Sequence, residues 1–146
     1  MRILFVCLGN TCRSPMAEAW VNYLADERNL DLYAESAGTI GYDGGAQNEA
    51  RNVIRTTTGK DHLEYHQCRS LQAVDLSEFD LILTMEDRIK DQIPGDNVFT
   101  LMEYGGGSGE VDDPFGGNYA EYQQSFTQIR EGVARMLRKL EREKKI

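Results

Sequence analysis

The chain is poor in cysteine, in basic residues and in long apolar runs, and each shortage excludes something. Its 146 residues include three cysteines, Cys7, Cys12 and Cys68, too few and odd in number for a disulfide framework. A zinc site is not expected either, because His62 and His66 follow Cys7 and Cys12 without any paired Cys-x-x-Cys. Lys plus Arg number 16 against 24 Asp plus Glu, a net charge of −8. That balance opposes a sequence-independent grip on nucleic acid and attraction to an anionic membrane. No apolar run approaches the ~20 residues of a spanning helix. The opening segment, MRILFVCLGN, is too short and too soon broken for a signal peptide, so a cytoplasmic location is expected. The Gly-x4-Gly-Lys pattern of a nucleotide-binding loop does not occur.

What is present describes a folded protein. With 40% hydrophobic and 27% charged residues, the composition is that of a globular chain. Residues 1–146 suit one domain, large enough to bury a core without staples. Arg2–Val6 reads as a buried parallel strand, since Ile3, Leu4, Phe5 and Val6 are contiguous and do not alternate. Leu8–Thr11 is a loop, and Ser14-Pro15 predicts a helix start with Ser14 as N-cap. Met16, Trp20 and Leu24 then follow helical spacing. A weaker strand is expected over Leu30–Ser36, a Gly-rich loop over Gly38–Gly45, and a helix over Gln47–Thr58 ended by Gly59. Phe79–Thr84 reads as a strand, Glu86–Gln92 as a short helix and Val98–Leu101 as a short strand. Glu103–Asn118 is Gly-rich and reads as one long loop, of the kind that is often functional. Tyr119, Tyr122, Phe126, Ile129, Val133, Leu137 and Leu140 mark a long final amphipathic helix. Alternating strands and helices predict an α/β fold, with a central parallel sheet of about four strands flanked by helices on both faces. Ligands of such folds bind beyond the carboxyl ends of the strands.

The segment after the first strand is Cys7-Leu8-Gly9-Asn10-Thr11-Cys12-Arg13-Ser14-Pro15. Backbone N–H groups of a loop between a strand and a helix N-terminus form a nest for an oxyanion. Gly9 permits close backbone approach, and Arg13 can fork two hydrogen bonds onto phosphate oxygens. Positive surroundings favour the thiolate form of cysteine, and a thiolate at the base of such a cradle is placed to attack phosphorus in line. Ser14 can donate to that sulfur. Alone, Cys7 reads as a packing residue and Arg13 as a surface residue. Together, Cys, five residues, Arg and Ser arise by chance in only about one chain of this size in a hundred. Asp112 and Asp113, in the Gly-rich loop before Pro114, are both candidates for a general acid and both ordinary turn residues.

The first loop resembles the phosphate-binding loop of the low-molecular-weight protein tyrosine phosphatases. The resemblance continues through Ser36-Ala37-Gly38-Thr39, His66-Gln67-Cys68-Arg69, Phe79 to Met85, and Asp112-Asp113-Pro114-Phe115-Gly116-Gly117. It implies a phosphocysteine mechanism with Cys7 as nucleophile and Arg13 on the phosphoryl oxygens. Ser14 would assist the sulfur, and Asp113 would be the general acid. Leu8, Gly9, Asn10, Thr11 and Cys12 would complete the phosphate-binding loop with Arg13. Asn10 would be braced by Ser36 and His66, and Tyr42 and Phe115 would flank the mouth. No metal or organic cofactor is implied; the partner is a phosphorylated protein and the enzyme a monomer. Cys12 would be a packing residue or a reversible disulfide partner of an oxidised Cys7.

Thr11 stands where tyrosine phosphatases of the family usually carry isoleucine. With Val98–Leu101, Glu103-Tyr104 and the Asp113-Pro114-Phe115 loop it resembles the protein-arginine phosphatase subgroup, although Leu8 replaces that subgroup's usual threonine. Phosphoarginine is therefore the expected substrate, narrowly ahead of phosphotyrosine. Thiol-dependent arsenate reductases share the Cys-x5-Arg-Ser loop but need two further central cysteines, and only Cys68 is present. A non-catalytic phosphate-binding module would need neither Cys7 nor Asp113.

Overall fold

The computed structural model describes residues 1–146. Strand β1 spans Arg2–Cys7 and helix α1 Arg13–Arg28; β2 follows at Tyr33–Gly38 and α2 at Asn48–Thr58. Two single 3-10 turns lead to β3 (Leu81–Thr84), α3 (Asp87–Lys90), β4 (Val98–Thr100), α4 (Leu101–Tyr104) and α5 (Tyr119–Arg142). The four strands are parallel in the order β2-β1-β3-β4.

The unbroken apolar run of β1 follows from burial on both faces. Ile3, Phe5 and Cys7 join the larger core cluster, which α1, α2, α4 and α5 cover. Leu4 and Val6 point the other way, into a smaller cluster with Ile82, Ile89 and Ile93, flanked by Leu71, Val74 and Leu76 of the 3-10 region. The expected α/β sheet of four strands with helices on both faces is thus observed. No helix is long and apolar enough to cross a membrane.

Several boundaries differ from expectation. Helix α1 begins at Arg13 with Cys12 as N-cap, so Ser14 lies inside the first turn and does not cap it. Its hydroxyl is engaged elsewhere, and Pro15 is tolerated because first-turn N–H groups lack helical partners. Strand β2 starts at Tyr33, not Leu30. Asn29 adopts a left-handed conformation (φ 53°), and Leu30 N–H bonds back to Ala25, so this stretch closes α1. Phe79 and Asp80 precede β3, because Phe79 terminates a 3-10 turn. Helix α3 is shorter than Glu86–Gln92. The Glu103–Asn118 loop is trimmed by α4, whose Thr100 and Glu103 form a reciprocal capping box.

The chain runs outward from β1 to β2 and then crosses to β3 on the other side. Ligand crevices of open parallel sheets form at such a reversal, outside the strand carboxyl ends. The loop from Leu8 to Cys12 leaves β1 at this point.

Candidate active site

Cys7 ends β1 with its side chain buried. Its Sγ accepts the Asn10 N–H at 3.3 Å and lies 2.9 Å from Ser14 Oγ. The loop can curl so tightly because Asn10 adopts φ 56°, a left-handed conformation that asparagine tolerates. Gly38 is required beside it: a Cβ there would stand 2.9 Å from backbone atoms of Leu8, Gly9 and Asn10.

Asn10 is fully buried and ties the loop to three other segments. Its Nδ2 donates to Ser14 Oγ and to Ser36 Oγ, both at 2.9 Å. Its Oδ1 accepts the Arg69 N–H at 3.1 Å. Its carbonyl lies 2.9 Å from His66 Nε2 and 3.1 Å from Cys68 Sγ, which donates to it. A carbonyl only accepts, so His66 is the Nε2–H tautomer, and burial lowers its pKa from the ordinary histidine value. Ser36 and His66 thus meet Asn10 as expected, whereas Arg69 and Cys68 are additions.

Arg13 is 2% exposed. Its Nη1 donates to the Val111 carbonyl at 2.9 Å, and its Nη2 to Glu86 Oε2 at 3.1 Å. Asp113 Oδ2 stands 3.7 Å from the same Nη2. The Arg13 Nε is buried and has no partner. An unpartnered guanidinium donor costs free energy unless an acceptor occupies the space before it, and an oxyanion oxygen supplies one.

Arg13 lines a cavity together with Cys7, Leu8, Gly9, Thr11, Cys12, Tyr42, Asp113 and Phe115. Asn10 and Ser14 lie behind this wall and act on it from below. Tyr42 lies across Gly9, where an added Cβ would come within 2.9 Å of Tyr42 Cε2. Tyr42 and Phe115 stay 48% and 61% exposed at the mouth.

The two aspartates of the loop separate. Asp113 is 44% exposed, lines the cavity, and accepts the Phe115 N–H at 3.1 Å. Asp112 is held against α5, its carboxylate accepting from Gln128 Nε2 at 3.1 Å. The loop is anchored to the sheet by Val111, whose N–H bonds to the Met85 carbonyl just beyond β3.

Cys12 is buried with Sγ 3.2 Å from Tyr122 Oη and 3.4 Å from Thr11 Oγ1, and burial pushes its thiol pKa up. Sequence reading gave no site role to Tyr122, Glu86, Arg69 or Cys68, the last two entering only within the His66-Gln67-Cys68-Arg69 resemblance. Glu86 carried a usable signal, being an acidic residue just past the carboxyl end of β3. Tyr122 carried none beyond its place in the helical stripe. No group of three or more His, Cys, Asp or Glu side chains is arranged to hold a metal ion.

A loop that opens on a buried cysteine, a buried arginine and a nearby aspartate agree with the wider likeness of the chain. A family model described as low molecular weight phosphotyrosine protein phosphatase matches residues 2–146. The chain belongs to the low-molecular-weight protein tyrosine phosphatase family. It is 37% identical over 134 residues to the low molecular weight protein-tyrosine-phosphatase PtpB of Staphylococcus epidermidis, covering 88% of this chain and 91% of that protein. It is 34% identical over 152 residues to the protein-arginine-phosphatase of Bacillus subtilis, covering 99% and 100%. Among solved structures, the low molecular weight protein tyrosine phosphatase from T. tengcongensis matches with a TM-score of 0.89 and 37% identity, over 96% of this chain and 99% of that one. As a member of this phosphatase family, the chain is a cysteine-dependent phosphohydrolase. Its relatives divide between tyrosine and arginine phosphatases.

Proposed function

We propose that this phosphatase removes phosphoryl groups from protein phosphoarginine, with Cys7 as nucleophile, Arg13 as phosphoryl clamp and Asp113 as general acid. Cys7 Sγ attacks phosphorus, the bond from phosphorus to the leaving nitrogen breaks, and Asp113 delivers a proton to that nitrogen. The products of this half-reaction are an S-phosphorylated Cys7, an Asp113 carboxylate and the guanidinium of the freed arginine side chain. Asp113, now a carboxylate, takes a proton from water as the water oxygen attacks phosphorus. The S–P bond breaks, phosphate leaves, and the sulfur recovers its electron pair beside Ser14 and the Asn10 N–H. A positioned acid of this kind contributes roughly 10²–10⁴-fold.

The observation that carries the substrate reading is Thr11, which shares the cavity wall with Cys7, Arg13 and Asp113. A threonine there is polar and slightly smaller than the isoleucine usual in tyrosine phosphatases, which reshapes the space for the leaving group. Phosphotyrosine is the second reading, favoured by the exposed rings of Tyr42 and Phe115, which suit a phenyl group. The test is side-by-side hydrolysis of one peptide carrying phosphoarginine or phosphotyrosine, with Cys7→Ser as blank. Faster phosphoarginine turnover, shifted toward phosphotyrosine by Thr11→Ile, supports the proposal. Faster phosphotyrosine turnover with no effect of Thr11→Ile overturns it.

The partner in this reading is a phosphorylated protein met by a monomeric enzyme in the cytoplasm, where its three free cysteines stay reduced. Cys12, on the same cavity wall as Cys7, is the proposed disulfide partner after oxidation. Peptide mapping of peroxide-treated enzyme should find a Cys7–Cys12 link; sulfinic acid at Cys7 without that link would remove the role.

A further inference from the structure

We propose that Glu18 is a positioning residue for Cys7, fixing the direction of a chain of hydrogen bonds that runs through Ser36, Asn10 and Ser14 to the sulfur. The proposal rests on the reading of Cys7 as nucleophile. Glu18 lies four residues beyond Ser14 on α1, hence on the same helix face, and is absent from the cavity wall.

Counting protons shows how the direction is set. Ser36 Oγ donates to Glu18 Oε1 at 2.7 Å. A hydroxyl has one proton, so Ser36 turns only lone pairs toward Asn10 Nδ2, which donates to it at 2.9 Å. The Asn10 amide cannot flip, because its Oδ1 is held by the Arg69 N–H at 3.1 Å. Its second Nδ2 proton enters Ser14 Oγ at 2.9 Å. With Cys7 as the thiolate, which only accepts, Ser14 gives its own proton to Sγ at 2.9 Å, the competing Ala37 carbonyl being 3.5 Å away. Every donor is thereby committed, and the first acceptor is Glu18.

The frame that holds this chain is built in. One turn further along α1, Asn22 donates to the Ala34 carbonyl at 2.9 Å and accepts the Ala34 N–H at 2.8 Å. Asn22 and Glu18 are four apart on the helix, and Ala34 and Ser36 two apart on the strand, so one face of α1 meets one row of β2. Glu18 is half-buried beside a polar groove shared with Asn22 and Asp26, and burial pushes its pKa up from the ordinary glutamate value. What the chain needs is an acceptor, not a charge, because Ser36 can donate equally to an amide oxygen. Without an acceptor, the Ser36 hydroxyl is no longer held in one orientation, and turned toward Asn10 Nδ2 it sets donor against donor. The amide then loosens, and the Ser14 hydroxyl is free to turn toward Ala37.

The experiment compares Glu18→Leu and Glu18→Gln in the full chain, reading iodoacetamide alkylation at Cys7 by mass spectrometry and turnover of p-nitrophenyl phosphate. Glu18→Leu should slow alkylation and lower kcat by about tenfold, the effect of one misdirected hydrogen bond to a charged group, with KM within about twofold. Glu18→Gln should restore both to within about threefold. Ser36→Ala cuts the same chain without altering α1 and should slow alkylation as Glu18→Leu does, with no further loss when the two are combined. Wild-type alkylation in Glu18→Leu, a Gln variant as impaired as Leu, or additive effects of Glu18→Leu and Ser36→Ala would overturn the proposal. Full turnover by Cys7→Ser would instead overturn the nucleophile, and the proposal with it; a failure confined to the Glu18 and Ser36 variants leaves Cys7 in its role.

Discussion

Ser14 Oγ lies 2.9 Å from Cys7 Sγ and accepts the Asn10 amide, which leaves its proton for a Cys7 thiolate, a group that only accepts. The serine that would otherwise cap α1 is therefore turned inward as a donor to the sulfur. With Ser14 so engaged, the helix begins two residues early, at Arg13 with Cys12 as N-cap, and the hydroxyl stands beside the Cys7 sulfur.

Replacing Ser14 with alanine removes that donor at little cost in volume. A hydrogen bond to a charged group contributes about 1.5–3 kcal/mol, so kcat should fall roughly 10- to 100-fold with KM little changed. Steady-state kinetics check this, and a burst of leaving group would show that release of phosphate from Cys7 has become the slow step.

The two aspartates give a paired prediction. Asp113→Asn should lower kcat by roughly 10²–10⁴-fold on a substrate with a poor leaving group, and much less on an aryl phosphate with a good one. Asp112→Asn should change turnover by no more than about threefold, because its carboxylate faces Gln128 and not the cavity. Equal losses in the two variants would contradict the assignment.

Glu86 is the carboxylate nearest to the buried Arg13 guanidinium. Glu86→Gln leaves that cation short of counter-charge and should destabilise the fold by roughly 1–3 kcal/mol. Inorganic phosphate supplies the missing charge and the acceptor for Arg13 Nε. The rise in Tm on adding saturating phosphate should therefore be larger in Glu86→Gln than in the parent enzyme. Thermal denaturation with and without phosphate decides this, and an equal or smaller rise would argue against an oxyanion on Arg13.

His66 makes stability depend on pH. Burial, ahead of the nearby Arg69 charge, holds its pKa below the ordinary value of 6.5. Above 6.5 both folded and unfolded histidine are neutral, and its contribution is fully present. Below it the unfolded chain takes up the proton first, so stability is lost as pH falls toward the lowered folded value. Tm measured through this window should fall more steeply for the parent than for His66→Gln, whose amide can still donate to the Asn10 carbonyl.

Much of this was legible in the sequence because it is local. The apolar run into Cys7, the Gly9 turn and Arg13 lie within a few residues of one another, and parallel β1 is buried on both faces. Ser14-Pro15 misled, since a local capping signal cannot reveal that the Ser14 hydroxyl is already engaged by Asn10 Nδ2 and Cys7 Sγ. Short helix α4 was missed although Thr100 and Glu103 have capping-box spacing, because the glycines after Tyr104 read as one continuous loop. Glu86, Arg69 and Tyr122 reach the site only through folding, lying 73, 59 and 110 residues from their partners Arg13, Asn10 and Cys12. No periodicity carries such pairings. Spacing alone leaves Asp112 and Asp113 equal; in space Asp113 lines the cavity while Asp112 is held by Gln128.

The most direct test of the mechanism is to trap its intermediate. Asp113→Asn slows the attack of water, so rapid acid quenching during turnover of an aryl phosphate should leave a phosphoryl group on Cys7, identified by peptide mapping. The account predicts phosphorylated Cys7 in stoichiometric amount, absent from Cys7→Ser under the same mapping of sulfur-linked phosphate. Turnover with no covalent phosphoenzyme, or a phosphoryl group carried by any other residue, would contradict it.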